Sequence, residues 1–524
     1  MSSSVEKIKE RLSIVDVVSS YISVIPAGKN YKAKCPFHNE KTPSFFISSE
    51  RDSYYCFGCG AKGDIFSFVE NFEGVDFLGA LKILATRAGV SLEKNFSNAE
   101  KDKKEKLYEI MEEATTFFEK MFEEDTRPRA YLLNRGLSDK TIKNFRIGYA
   151  PDSWRSVSAY LIKKGFKKED LETVGLVKTK EGTREQEKED DHFYDRFRSR
   201  IIFPINDSSG RVIAFSGRIF GEENKEAKYL NSPETPLFNK SNTLFGIDKA
   251  KLPIRKYGYS IVVEGQMDLI LSHQAGFDNT VAVSGTALSD RVNERVLSQE
   301  DSSKKINNLG LIRRLSPNVI FAFDGDQAGI RATNRSALIA LSLDMQVKVT
   351  SIKEGKDPAD IILENPDEWK DLIKNSKNII NFHLDRICEE TDDIRLRGKK
   401  IKEVIFPFLA IVKSSIEKSA YFSLINRETG IPENAIIEDF ERYENLNKIN
   451  SVELKDEDKL EKENKTRRQR LEEKLFGILF WQEDNKNQII DITEIKKSIE
   501  DKIEKDIFNQ IYEKHKSNRG TLAF

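Results

Sequence analysis

The sequence predicts a multidomain α+β protein: a small cysteine-bearing N-terminal module, a mixed middle region, an α/β unit with a largely parallel sheet, and a helical C-terminal region. Three observations carry this. Three of the four cysteines, Cys35, Cys56 and Cys59, crowd beside His38 in a stretch rich in Gly and aromatics, with only Cys388 elsewhere. From Tyr259 onward, short β-branched runs alternate with helical periodicity, the pattern of βαβ units. From Lys374 to Asn445 the periodicity is helical. A chain of 524 residues, at roughly 100–200 residues per domain, holds about three or four domains. The expected divisions are 1–100, 106–250, 256–370, 371–445 and 446–524.

Taken in order, Val5 to Ile25 is expected to be helical, with apolar Ile8, Leu12, Val15 and Val18 to Ile22. Asn30 to Gly63 is the Cys-rich module, and Ile65 to Ala88 a helical stretch. Lys101 to Lys106 is a charge run, read as a linker or an exposed helix start. Thr179 to Asp191 is a charged insertion without core residues. Strands are expected at Ser260–Val263, Thr280–Val283, Asn318–Phe323 and Gln346–Ser351. Ser298 to Asn308 reads as a polar surface loop. Glu453 to Lys474 carries 16 charged residues in 22, a solvated linker or helix surface. Leu475 to Trp481 opens a helical tail.

Hydrophobic residues make up 38% and charged residues 33% of the chain, and the formal net charge is -1. Packed cores are therefore expected, and any polyanion-binding surface must come from local charge asymmetry. No run approaches about 18 consecutive apolar residues, so no membrane span and no membrane partner are expected. Met1 to Glu10 is polar and charged, so no secretory signal is read and the expected location is the cytoplasm. No GxxxxGK[ST] loop occurs, which excludes a built-in P-loop motor.

Cys35-Pro36-Phe37-His38, seventeen residues, then Cys56-Phe57-Gly58-Cys59 supply two chelating pairs with two residues between ligands. That spacing suits one tetrahedral zinc ion, held by protein at all four positions and therefore structural. The bland alternative is a chance cluster of buried thiols. Phe37, Phe45, Phe46, Tyr54, Tyr55 and Phe57 surround the site. Some must form the module's small core; an exposed one would be a stacking platform for a nucleic-acid base.

Asp195-Arg196-Phe197-Arg198-Ser199-Arg200-Ile201 places three arginines on alternating positions. As a strand, it would point three guanidiniums one way, a stripe suited to a phosphate backbone or simply a solvated face. Lys228-Tyr229-Leu230-Asn231-Ser232-Pro233-Glu234-Thr235 reads as a loop. With Lys240 downstream, Lys228 could serve a triphosphate as point charges.

Glu264, Asp268, Asp324, Asp326 and Asp357 all fall just beyond apolar strands, where open parallel sheets bind their ligands. So many carboxylates repel one another unless cations intervene. Mg²⁺ fits this oxygen-rich set, and two ions about 3.5–4 Å apart would clamp a phosphoryl transfer. The competing reading makes each acid a helix N-cap.

Together these motifs resemble the bacterial DnaG-type primases. A CPxH…CxxC ribbon, then DRFRxRIxFPI, then KYLNSPET, then a Toprim-like Glu264-Gly265 and Asp324-Gly325-Asp326 occur in that order, over roughly Val5 to Glu444. Tyr131 to Leu137 and Phe145 to Tyr149 resemble the family's basic subdomain. The resemblance implies a zinc ribbon held by Cys35, His38, Cys56 and Cys59. An RNA polymerase core with a Toprim sheet follows, and the activity is synthesis of short RNA primers on single-stranded DNA. It implies that Arg146, Arg196, Arg198, Arg200, Lys228 and Lys240 line the template and nucleotide groove. Glu264, Asp268, Asp324, Asp326 and Asp357 would form the catalytic centre, with Mg²⁺ on Glu264, Asp324 and Asp326 and Mn²⁺ as a possible substitute. Ribonucleoside triphosphates are the implied substrates. The replicative helicase is the implied partner of the C-terminal region, although a generic helical tail fits as well. One departure stands out: the family commonly has Asp-Pro-Asp where this chain has Asp357-Pro358-Ala359. Asp360 is adjacent but would point differently, so Asp357 is the better candidate. The rival is a zinc- and Toprim-bearing recombination mediator without polymerase activity, which leaves the arginine run and the KYLNSPET loop unexplained. A topoisomerase-like enzyme would need a nucleophilic tyrosine on a gate domain, and a fused primase-helicase would need the missing P-loop.

Overall fold

A computed structural model describes residues 4–38, 40, 42–92, 99–179, 193–219, 227–283 and 308–446. Residues 1–436 form one compact unit. Most of the 179–191 insertion, the 298–307 loop and everything beyond 446 lie outside the described residues.

The N-terminal module is a five-stranded antiparallel sheet, β1 (Ile25–Ala27), β2 (Asn30–Ala33), β3 (Phe45–Ser48), β4 (Ser53–Cys56) and β5 (Lys62–Gly63), in sequence order. Alternation sorts its side chains: Phe45, Ile47 and Tyr54 are buried, while Tyr55 is exposed. The buried face packs on the helices Ile14–Ser19 and Ile65–Glu73, with Phe68 and Phe72 at the centre of the cluster. The single helix expected over 5–25 is two, Ser4–Arg11 and Ile14–Ser19. Ser13 breaks it, because its hydroxyl caps the second helix at Asp16 N, 3.1 Å. The stretch 65–88 divides likewise at Gly74, whose φ is 66°, and Asp76 caps the following helix at Gly79 N, 2.9 Å.

The charge run 101–106 lies in a long helix, Ala99–Glu124, rather than a linker. That helix packs on a four-stranded antiparallel sheet of order β11-β10-β9-β6: β6 (Gly148–Ala150), β9 (Arg200–Asn206), β10 (Val212–Ile219) and β11 (Tyr229–Asn231). β7 (Val177–Thr179) and β8 (Phe193–Asp195) form a separate pair.

The α/β unit is a five-stranded sheet of order β13-β12-β14-β15-β16, built from β12 (Ser260–Val263), β13 (Thr280–Ala282), β14 (Asn318–Phe321), β15 (Gln346–Val349) and β16 (Lys377–Asn378). The first four are parallel, as expected, and β16 closes one edge antiparallel. Helices carry the chain from Ile379 to Thr429 with a π-helical turn at Ile401–Ile405. Among the described residues no helix is long and apolar enough to cross a membrane.

The N-terminal module seats on the rest of the unit through a charged clasp. Glu73, its side chain only 4% exposed, lies 3.5 Å from Lys251 Nζ and 3.1 Å from Arg255 Nη2. Asp76 pairs with Arg211 at 2.6 Å and Lys104 at 3.0 Å. Arg314 donates to the carbonyls of Asn71 and Phe72 at the end of the Ile65–Glu73 helix. Removing the acid at the centre leaves two cations half-buried without an answering charge. Glu73→Ala is therefore expected to cost about 2–4 kcal/mol and to open the junction to limited proteolysis. Equal urea midpoints for variant and parent would show the clasp to be idle.

Candidate active site and metal centre

The Cys/His cluster forms because β3 and β4 bring their neighbouring loops together. One donor atom from each of Cys35, His38, Cys56 and Cys59 lies within 4.8 Å of the others. Cys35 Sγ is 3.8 Å from Cys59 Sγ, and Cys56 Sγ is 3.7 Å from His38 Nδ1. Ligands about 2.3 Å from a common centre at tetrahedral angles stand about 3.7 Å apart, so the donor set fits zinc. Gly58 is required for this closeness: a Cβ there would lie 2.4 Å from His38 Nε2.

The module's aromatics divide between its two faces. Across the sheet, Lys32 pairs with Phe46, Phe46 with Tyr55 and Tyr55 with Lys62. Phe57 is 71% exposed and meets both Phe46 and Tyr55 edge-on, at 5.3 and 4.8 Å. The outward face is thus an aromatic patch with a lysine at each end.

The five acids gather at the C-terminal edge of the parallel sheet, in two states. Asp326 caps the helix Gln327–Ser342, accepting from Gly329 N at 2.7 Å, and Asp357 caps Pro358–Glu364, accepting from Asp360 N at 2.7 Å. Asp360 completes that capping box by facing Asp357 N at 3.5 Å, a structural position. Asp268 is buried and accepts from Gly265 N at 3.0 Å and Ala359 N at 3.3 Å. Glu264 Oε1 and Asp324 Oδ1 differ: both are buried with no hydrogen-bond partner. An orphaned buried carboxylate oxygen is costly unless a cation answers it, so these two fit a divalent metal. Their oxygens do not close with a third acid into a group within 4.8 Å; among the described residues only the Cys/His set does.

The electrostatics agree. Burial, then the charges of Asp268, Glu264, Asp357 and Asp326, push Asp324 up to about 7. Burial, then Asp357, push Asp268 up to about 7. Glu264 is raised by burial and Asp326 against a hydrogen bond from Asp324 N–H. Gly325 lets the strand end approach the next loop: a Cβ there would lie 2.2 Å from Lys353 O.

The arginine run is not one strand face, which corrects the alternating-strand reading. β8 ends at Asp195 and β9 begins at Arg200, with Ser199 at φ 48° between them. The Asp195 carboxylate accepts from Val157 N and Ser158 N at 2.9 and 3.2 Å and anchors the end of β8. Arg196 donates to Asn231 O at 3.0 Å, tying this segment to the Lys228–Thr235 loop. Arg200 is buried, donating to Gly217 O and Ala227 O. Arg198 lies over both Trp154 and Tyr194, 4.3 and 5.0 Å from the ring centroids, and the two rings meet edge-on at 5.5 Å. Arg146 is occupied by Glu112 and Glu119 at 2.8 and 2.9 Å. Lys228 is exposed and Lys240 half-buried, and neither pairs with an acid among the described residues.

Two residues escaped sequence reasoning. Trp154 is 61% exposed beside Arg198; a tryptophan in a Pro-Asp-Ser turn was the available signal. Arg218 is buried, donates to Tyr229 Oη at 2.7 Å and lies over Tyr131 at 5.8 Å, with its Nε lacking a partner. Nothing in its local sequence separates it from the neighbouring arginines.

Comparison with known proteins adds the family context. The family described as CHC2 zinc finger matches residues 1–100, the DNA primase catalytic core N-terminal domain matches 116–251, and the Toprim domain matches 258–353. A DNA primase of Clostridium acetobutylicum is 34% identical over 442 residues, covering 82% of this chain and 68% of the relative. One of Halalkalibacterium halodurans is 34% identical over 458 residues, covering 86% and 72%. The crystal structure of the zinc-binding and RNA polymerase domains of Aquifex aeolicus primase covers 83% of this chain and 99% of its own, at 29% identity and a TM-score of 0.53. A DnaG primase catalytic domain bound to ssDNA covers 64% and 100%, at 28% identity and 0.51. Cys35, His38, Cys56 and Cys59 are a Cys₃His zinc site, and the Toprim domain implies a divalent metal at the acids.

The acidic edge makes a pH prediction for protein free of divalent metal at the acids. A carboxyl whose folded pKa lies above its unfolded value binds its proton more tightly when folded. The native state therefore loses stability as pH rises from about 4 to about 7. Asp324→Asn is expected to flatten that slope and to melt higher than the parent at about pH 8, with the gap closing near pH 5 and on adding Mg²⁺. A variant melting several degrees lower across that range would make Asp324 a structural cap.

Proposed function

The chain belongs to the DnaG-type DNA primase family, and on that premise we propose how its residues divide the making of short RNA primers on single-stranded DNA. In this reaction the 3′-hydroxyl of one ribonucleotide attacks the α-phosphate of the next, and pyrophosphate leaves as the α–β phosphoanhydride bond breaks. The observation that carries the assignment is the pair of orphaned buried oxygens on Glu264 and Asp324.

Glu264, Asp324 and Asp326 would hold magnesium, two ions in this reading with manganese able to replace them, supplying charge neutralisation and a more acidic 3′-hydroxyl. Asp268 and Asp357 fix the two helix starts that border those oxygens. Arg218, gripped by Tyr229, is the buried cation of this neighbourhood, since Tyr229 lies within reach of the Asp268 charge. It is placed for the triphosphate, with Lys228 and Lys240 as point charges at the two ends of the adjoining loop. Arg196 holds that loop in place.

The template reading rests on stacking as much as on charge. Arg198, Trp154 and Tyr194 form a cation-and-ring surface on the polymerase side, and Phe46, Tyr55 and Phe57 with Lys32 and Lys62 form one on the zinc module. That a related DnaG primase catalytic domain is bound to ssDNA supports a single-stranded template, and the first surface is the place we assign to it. The second suits selection of the start site. Arg146 and Arg200 act through the fold instead.

The division into a zinc module (1–100), a basic subdomain (106–250), a Toprim subdomain (256–370), a helical subdomain (371–445) and a tail (446–524) follows the same reading. The tail, outside the described residues, is read as the helicase contact on the apolar sequence pattern of Leu475 to Trp481.

The deciding assay is incubation with single-stranded DNA and ribonucleotides. Asp324→Asn is expected to stop dinucleotide formation while template binding survives; primers at near the parental rate would overturn the metal assignment. Trp154→Ala should weaken template binding by about 1–3 kcal/mol with little change in salt dependence. Arg198→Ala should also lower the salt slope by about 0.7. Unchanged affinity in both would place the template elsewhere.

A further inference from the structure

The zinc site's own geometry singles out a fifth residue. Glu40 is mostly buried, with its side chain 10% exposed, and lies beside the four ligands without being one of them. Its Oε1 accepts from Cys35 N at 2.6 Å and Ser44 N at 3.0 Å. Its Oε2 lies 3.3 Å from His38 Nε2 and also receives the Ser44 hydroxyl. The other ring nitrogen, Nδ1, faces Cys56 Sγ. Ser44 Oγ in turn sits 3.2 Å from Cys56 Sγ. One carboxylate therefore touches the backbone of one ligand, the imidazole of a second and, through Ser44, the sulfur of a third.

We propose that Glu40 is the positioning residue of the zinc site, holding His38 with Nε2 protonated so that Nδ1 is the metal donor. An imidazole offers its metal whichever nitrogen its other hydrogen bond leaves free, and a carboxylate on Nε2–H fixes the ring's tautomer and turn and makes Nδ1 a stronger donor. The same carboxylate sets the Cys35 amide and so the angle at which that thiol enters. The Ser44 link is the matching contact to Cys56. Loss of such an outer partner typically weakens metal affinity about 10–100-fold.

The two roles of Glu40 separate in the side chains that replace it. Glu40→Gln keeps a carbonyl oxygen able to accept from Cys35 N and Ser44 N, but presents an NH₂ to His38 Nε2–H, donor against donor. Glu40→Ala removes both. In the full chain, zinc affinity measured by competition with a chromophoric chelator should fall about 10–100-fold in Glu40→Gln and at least as far in Glu40→Ala. In the zinc-loaded parent, long-range ¹H–¹⁵N spectra should show His38 metallated at Nδ1 with a slowly exchanging Nε2 proton, and that proton should exchange rapidly in Glu40→Gln. Glu40→Gln with parental affinity, beside a weakened Glu40→Ala, would reduce Glu40 to a backbone cap. Metallation at Nε2 in the parent would overturn the proposal outright. If either variant fails to fold, the tautomer of the parent still decides.

Discussion

The centre of this molecule is governed by one electrostatic constraint. Five carboxylates share the end of a parallel sheet, from buried Asp268 through half-buried Glu264, Asp324 and Asp357 to exposed Asp326, where like charges cannot all persist unanswered. The backbone answers three of them. Asp326 and Asp357 take the free amides of helix starts, and Asp268 takes Gly265 N and Ala359 N. Glu264 and Asp324 receive no such cover for one oxygen each. The fold thus sorts equal acids by how they are answered: Glu264 and Asp324 are the open ones that need a divalent cation, and Asp326, which caps through Oδ1 alone, stands beside them. Capping and metal binding are therefore not rivals here. The capped acids hold the helices that bring the open ones together.

Ala359 shows how tightly this is arranged. At this position a small buried residue lends its backbone amide to Asp268. A further carboxylate would add charge to an edge where two groups already titrate near neutrality. Asp360 does not supply one, because its side chain is turned back on the Asp357 amide.

Much of this was legible in the sequence because it follows from local rules. The starts of the four parallel strands fell where β-branched runs begin, and the zinc ligands could be read from spacing alone. The misreadings have both local and tertiary causes. Ser13 and Gly74 break helices whose apolar periodicity runs on past them, so periodicity alone could not locate the ends. The arginine run alternates as a strand would, yet Asp195 is captured by the amides of a distant helix start and Ser199 turns left-handed. Arg218 and Trp154 gain their meaning only from rings brought next to them by the fold, at Tyr229 and beside Arg198.

The same accounting explains how a chain of net charge -1 can serve a polyanion. Many of its arginines are committed internally: Arg146 to Glu112 and Glu119, Arg211 to Asp76 and Asp207, and Arg200 to carbonyls. The exposed side chains include aromatic ones: Trp154 beside Arg198, and Phe57 and Tyr55 on the zinc module. Rings stack on any base, and their contribution does not vanish as salt rises. On the proposed reading, a polymerase that must hold a template of changing sequence while its acids stay reserved for metal would be served by that division: stacking to hold the strand, cations to orient it, and charge concentrated where phosphate is transferred.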